Sequence, residues 1–257
     1  MPHTAISVQS VGKSFSLRHR GASARQAIES ALRAPFRKSE PTEDPYGEGF
    51  WALRDVSFEI AAGEVVGVVG RNGAGKSVLL KLISRVTRPT LGRIEIRGSV
   101  APLLEVGTGF HPDLTGRENI YLNGVILGMR RAEVHRRVDE IVAFADVGDF
   151  LDTPIKRFSS GMRMRLAFAV AAHLDRDIFL LDEVLAVGDT DFQAKCQTRL
   201  LDLAAQGRTV LMVSHGDAIE RFCSRAILFD HGELIATGRP AEITKRYNAI
   251  RSAAASR

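Results

Sequence analysis

An α/β fold with a mostly parallel sheet and a helical insert is what this sequence predicts, and three observations carry the prediction. The apolar run from Val65 to Val69 ends at Gly70, passes through a glycine-rich loop and resumes as helically spaced Val78, Leu79, Leu82 and Ile83. That order of strand, glycine loop and helix marks an α/β domain. Two later apolar runs, Ile178 to Leu181 and Thr209 to Val213, read as buried strands on either side of a helix from Thr190 to Ala205 that Gly207 stops. Between these two α/β stretches the chain reads as helices alone.

In order along the chain, an opening strand is expected at Ile6 to Val11. From about Arg18 to Gly49 the composition changes, with basic residues first and then Glu40, Glu43 and Asp44 among Pro41 and Pro45. This reads as an insertion, in which Ser23 can cap a short helix carrying Ile28, Leu32 and Phe36. Beyond Trp51, residues Val56, Phe58 and Ile60 alternate with polar partners and Gly63 turns the chain, predicting a hairpin that leads into the buried strand at Val65. Alternation returns from Arg93 to Arg97 after Gly92.

Thr115 followed by Glu118 is a capping box that opens a helix through about Leu127. A second helix runs from about Ala132 to Ala145, and Ser160 can cap a third from Gly161 to about His173. A last hairpin turns at His231 and Gly232, and a final helix runs from about Pro240 to Ile250.

The 257 residues, 45% hydrophobic and 25% charged, can hold one large domain or one with a subdomain. Two cysteines, Cys196 and Cys223, make neither a disulfide framework nor a CxxC metal pair, which points to a reducing compartment. No apolar run reaches the roughly 20 residues of a membrane helix, and Met1-Pro2-His3-Thr4 has no secretory core. The chain is therefore expected neither to span nor to cross a membrane. A net charge of +5 would suit nucleic acid or anionic lipid, but 30 acidic residues among 35 basic ones equally describe a solvated mixed surface.

Gly70-Arg71-Asn72-Gly73-Ala74-Gly75-Lys76-Ser77 fits G-x-x-x-x-G-K-[ST], placed after a predicted strand and before a predicted helix as the motif requires. Backbone amides there can close around a β-phosphate, and the helix N-terminus adds partial positive charge. Lys76 is expected to reach the β and γ phosphates, Ser77 to ligate Mg²⁺ and Val78 to line the nucleotide site. Ile178 to Leu181 delivers Asp182 and Glu183 to the carboxyl end of the sheet, where Asp182 can hold Mg²⁺ and Glu183 can polarise the attacking water. Phe158-Ser159-Ser160-Gly161-Met162 opens a helix whose hydroxyls and amides can face an anion, although alone it is a helix cap. His215 follows another strand end, where imidazole could bond a γ-phosphate oxygen or serve structure only.

The order of these pieces resembles the ATP-binding cassette family over nearly the whole chain. The resemblance implies one ATPase domain over residues 1–257, with a P-loop core, an antiparallel β subdomain and a helical subdomain at 106–173. It implies a Q-loop position at Glu105, a signature at Phe158 to Met162, a D-loop at Ala186 to Asp189 and a switch histidine at His215. It further implies a head-to-tail homodimer in which Ser159, Ser160 and Gly161 contact the γ-phosphate bound by the partner chain. An adenine-stacking aromatic is expected upstream, at Phe15 with Trp51 as competitor.

Leu-Ser-Gly-Gly-Gln in most of the family appears here as Phe158-Ser159-Ser160-Gly161-Met162, and the Q-loop glutamine as Glu105, whose carboxylate can still ligate Mg²⁺. The phrases Leu103 to Pro112, Leu114 to Ile120, Phe158 to Arg163 and Asp182 to Asp189 are similar to those of exporters of O-antigen, capsule or teichoic acid. The resemblance thus implies a subunit at the cytoplasmic face of the inner membrane, working with ATP, a second copy and a polytopic membrane subunit on a lipid-linked polysaccharide, and not with nucleic acid. A soluble cassette protein or an importer subunit stays open as an alternative. If Arg257 is the natural end, recognition of a finished glycan end is expected to lie elsewhere or not to be used. Arg25, Arg33, Arg37 and Lys38 in the insertion could face membrane or glycolipid pyrophosphate, or the insertion could be a tolerated surface loop. The docking surface for the membrane subunit is expected from Val106 to Thr115 and on the helices that follow.

Overall fold

A computed structural model describes residues 3–15, 49–103, 109–182, 189–214 and 217–255. Glu105, Glu183, His215, most of the D-loop and the insertion at 18–48 lie outside these residues. The strands are β1 (Thr4–Phe15), β2 (Phe50–Ala61), β3 (Val65–Gly70), β4 (Leu91–Ile96), β5 (Val100–Leu103), β6 (Ile178–Asp182), β7 (Thr209–Val213), β8 (Arg225–Asp230) and β9 (Glu233–Gly238). The α-helices are α1 (Lys76–Ile83), α2 (Gly116–Ile126), α3 (Arg131–Ala145), α4 (Ser160–Ala172), α5 (Thr190–Ala205), α6 (Asp217–Phe222) and α7 (Pro240–Ala255).

Six strands form one sheet in the order β5-β6-β7-β3-β8-β9, parallel except for the β8–β9 hairpin. Three more form an antiparallel sheet in the order β2-β1-β4. The α/β class with an antiparallel β layer and inserted helices is therefore what the chain adopts.

Parallel strands are buried on both faces, and their side chains show it with period two. Ile178, Leu180, Leu211, Val213, Val66 and Val68 face a core shared with the antiparallel sheet and α1. Phe179, Leu181, Val210, Met212 and Val69 face a second core shared with α2 to α5 and α7. Helix α4 runs beneath that second face and is buried continuously from Leu166 to Ala172, which explains its apolar sequence on all sides. On α1, Leu79 and Leu80 are fully buried, so truncating either to alanine should cost about 2–5 kcal/mol.

Local signals settled several boundaries. Thr115 accepts the Glu118 N–H while Glu118 accepts the Thr115 N–H at 2.8 Å, so α2 starts where the capping box predicts. Helix α5 spans the predicted residues, and Gly207 follows it with φ +77°. His231 and Gly232, both at positive φ, make the predicted β8–β9 turn.

Two readings need correction. Gly63 does not close a hairpin: β2 pairs with β1 in the antiparallel sheet, whereas β3 pairs with β7 and β8. A turn fixes chain direction but not the partner of the next strand. The cap of α4 is Ser159, whose Oγ accepts the Met162 N–H at 3.1 Å, and Ser160 is the first helical residue.

Candidate functional site

Strand β3 delivers Gly70 to the middle of the sheet's carboxyl edge, and the loop after it wraps back into α1. A Cβ on Gly70 would sit 2.4 Å from the Phe229 carbonyl, so β8 excludes any side chain there. Gly75, at φ +97°, lies where a Cβ would meet the Ala52 carbonyl at 2.5 Å. These two positions require glycine because neighbouring backbone approaches them closely.

Lys76 is 6% exposed, and its ammonium donates to the Gly70 carbonyl at 2.7 Å and the Arg71 carbonyl at 3.0 Å. Its charge is thus held over the loop before any ligand arrives. The tip of the β8–β9 hairpin braces the same loop: Gly232 donates to the Ala74 carbonyl at 3.2 Å and accepts the Arg54 N–H at 2.9 Å. A Cβ on Gly232 would come within 2.8 Å of the Ala52 carbonyl.

Above the loop opens a cleft of about 530 Å³. Asn72, Gly73, Gly75, Lys76, Ser77 and Val78 line it from the loop and α1, Asp182 from the end of β6, and Phe15, Phe50 and Ala52 from the antiparallel sheet. The cleft therefore combines backbone amides, one buried ammonium, a hydroxyl, a carboxylate and two aromatic rings. A ligand with a triphosphate-sized anion at one end and a flat apolar group at the other matches that inventory.

Residues 53–186 match the family described as ABC transporter. The chain belongs to the ABC transporter family. The O-antigen export system ATP-binding protein RfbB of Klebsiella pneumoniae is 42% identical over 95% of this chain and 98% of its own length. The O-antigen export protein RfbB of Myxococcus xanthus is 50% identical over 76% of this chain, which spans only 45% of that relative's length. The teichoic acids export ATP-binding protein TagH of Lactococcus lactis is 43% identical over 77% of this chain and 42% of its own length. Among solved structures, an ATP-binding cassette dimer in a post-hydrolysis state with ADP and Pi superposes with a TM-score of 0.69 at 23% identity, over 91% of this chain and 98% of that one.

Within this ABC cassette, the structure brings Phe15, Asn72, Gly73, Gly75, Lys76, Ser77, Val78 and Asp182 onto one cleft. Gly70, Arg71 and Ala74 belong to the same loop but are not among the lining residues; their carbonyls accept from the Lys76 ammonium, the Ala74 N–H and the Gly232 N–H. Trp51, half-buried, is not among the lining residues, whereas Phe15 is, at 42% exposure. Ser159, Ser160 and Gly161 are exposed at the start of α4 and contribute nothing to this cleft. Glu183, His215 and Glu105 fall outside the described residues.

Sequence reading missed Phe50 and Gly232. Phe50 is 52% exposed and pairs across β1–β2 with Phe15, a neighbour set by strand register over a gap of 35 positions. Gly232 was legible as a turn but not as a brace. A third unforeseen contact is Arg165 on α4, which donates to the Asp146 carbonyl at 2.7 Å and reaches Asp189 at 3.5 Å. Asp189 caps α5 by accepting the Phe192 N–H, so Arg165 links the signature helix to the end of the D-loop.

Proposed function

We propose that the chain is the ATP-hydrolysing subunit of an exporter of lipid-linked surface polysaccharide, and one observation carries the ATPase part: Lys76, Ser77 and Asp182 line a single cleft with Phe15. In this reading the loop amides and Lys76 hold the β and γ phosphates, Phe15 stacks on the adenine, and Val78 packs beside the nucleotide. The donor set suits Mg²⁺. Ser77 and Asp182 offer hard oxygens on one cleft, the ligand type that Mg²⁺ takes together with phosphates and water. Bound there, Mg²⁺ neutralises charge on the phosphates. Glu105 is a further candidate oxygen ligand, and His215 a candidate for the γ-phosphate.

Glu183 follows Asp182 directly and is the proposed general base for the water attacking in line. Ser159, Ser160 and Gly161, exposed at a helix N-terminus and away from the chain's own cleft, serve the nucleotide of a second copy in a head-to-tail dimer. The polysaccharide assignment rests on the export names of the O-antigen and teichoic acid relatives. The membrane partner docks on the loop from Val106 to Thr115 and the helices that follow, where Val125 and Ile126 on α2 are 52% and 59% exposed. No helix among the described residues is long and apolar enough to cross a membrane. In this reading a separate membrane subunit supplies the pathway.

The test is steady-state ATPase with ATP binding measured in parallel. Glu183→Gln should lower turnover at least about 100-fold while ATP still binds and holds a dimer on gel filtration, since an amide bonds the water but cannot take its proton. Near-normal turnover removes Glu183 from the mechanism. Export is tested by complementing a strain that lacks its O-antigen ATPase; copurification without any membrane protein would favour a soluble role instead.

A further inference from the structure

The aromatic wall of the cleft is two rings wide. Strand register puts Phe15 directly opposite Phe50, and residues directly opposite on antiparallel strands send their side chains to one face, with Cβ atoms about 5 Å apart. Both rings line the cleft and both stay largely exposed, at 42% and 52%. Two such rings side by side in a cleft make a contiguous apolar surface of the kind a flat ligand covers. Phe15 is held in place from its other neighbour, Lys13, whose ammonium lies 5.2 Å from the ring centroid and donates to the Arg88 carbonyl at 2.9 Å.

We infer that Phe50 is a specificity residue: with Phe15 it forms a platform that selects purine over pyrimidine nucleoside triphosphates without distinguishing adenine from guanine. The inference rests on the cleft being a nucleotide site. A purine's fused rings are long enough to overlap both phenyl groups, while a pyrimidine's single ring covers one. The other described residues on this side, Ala52 and Val78, carry no side-chain hydrogen-bonding group to read a base edge. Discrimination between adenine and guanine needs such groups, because stacking is tolerant of base identity.

The experiment is equilibrium binding of ATP, GTP, CTP and UTP to the full chain in EDTA, where hydrolysis is suppressed. The wild-type chain should bind ATP and GTP within about threefold of each other and CTP and UTP about tenfold more weakly. Phe50→Ala should weaken both purines about tenfold and both pyrimidines less than twofold, and Phe50→Tyr should keep the wild-type pattern. Phe15→Ala should weaken all four. A uniform loss across the four nucleotides in Phe50→Ala, no loss at all, or a wild-type chain without purine preference overturns the inference alone. A wild-type chain that binds none of the triphosphates overturns the nucleotide site itself, and the platform with it. Phe50 is exposed, so its replacement should leave the melting curve unchanged; a shifted curve moves the decision to the Phe50→Tyr variant, whose loss of purine preference would also overturn the inference.

Discussion

The two ends of the parallel sheet treat polar groups in opposite ways. At the amino end they satisfy one another. Asp177 accepts from the Ser99 N–H at 2.8 Å and the Ser99 hydroxyl at 2.7 Å. Arg208 pairs with Asp175, Arg225 grips Glu64 at 2.7 and 3.0 Å and the Glu59 carbonyl at 2.6 Å, and Thr209 accepts the Gly63 N–H. At the carboxyl end the Lys76 ammonium donates to the Gly70 and Arg71 carbonyls, and Ser77 and Asp182 line an open cleft. One edge closes its electrostatics to hold strands in register; the other lines an open cleft with an ammonium, a hydroxyl and a carboxylate. Substitutions at the two edges should therefore separate binding from stability.

The largest effect is expected at the carboxyl edge. Lys76→Ala should weaken ATP binding at least about 100-fold while costing the unliganded fold only about 1 kcal/mol, the value of ordinary hydrogen bonds. Calorimetric titration beside a denaturant melt tests this, and binding within threefold of wild type would break the contrast.

Arg225→Ala makes the opposite trade. It leaves Glu64, whose side chain is 20% exposed, without its cation and should cost about 2 kcal/mol with ATP affinity unchanged. Burial pushes the Glu64 carboxyl up, but the Arg225 hydrogen bond, the Ala61 N–H and the Arg225 charge outweigh it and hold Glu64 below its ordinary range. A drop in ATP affinity as large as the drop in stability would show that the two ends are coupled.

Asp177→Asn sharpens the same point through pH. The Ser99 N–H and hydroxyl, with Arg208 and Arg176 behind them, hold the Asp177 carboxyl below its ordinary range. A folded carboxyl that is the stronger acid stabilises fully above the unfolded value near pH 4 and loses that contribution as pH falls through the folded value. The variant should lose at most about 1 kcal/mol at pH 7, since the carboxylate is half-exposed and screened, and its stability should fall less steeply on acidification below pH 4. Parallel acid titration curves for variant and wild type would remove Asp177 from the account. The smallest change belongs to Arg208→Ala, whose partner Asp175 is 63% exposed: below about 1 kcal/mol by chemical melt, with salt erasing the difference.

Those expectations also mark what the sequence could disclose. Elements framed by local chemistry were legible: the Thr115–Glu118 capping box, the stop at Gly207, and the glycine loop between Val69 and Lys76. Most of the cleft is legible too: of its lining residues only Phe50 and Ala52 escape the sequence, because Asn72 to Val78 and Asp182 sit in motifs only a few residues long. What escaped depends on distant partners. Strand β5 carries Pro102, which cannot donate to a ladder and hides an edge strand in sequence. Short α6 was not anticipated. The Gly63 turn could not reveal that its two strands enter different sheets, and Phe50 joins the cleft only through register with Phe15.

The place of β3 has a consequence for how the chain comes into being. Val65 to Val68 pair with Val210 to Val213 on one side, and Val66 to Gly70 pair with Arg225 to Phe229 on the other. Both neighbours of the phosphate-loop strand are thus synthesised long after it, and the Gly232 brace later still. A nascent chain that has passed Ser77 holds the whole motif yet no sheet to mount it on, and its apolar Val65–Gly70 segment has two unpaired edges. Non-local pairing of this kind is slow, because a long loop must close before any contact rewards it. The glycine loop, among the first pieces written, gains its supports among the last, so a chain interrupted in translation before β8 leaves the strand beneath that loop without its neighbour.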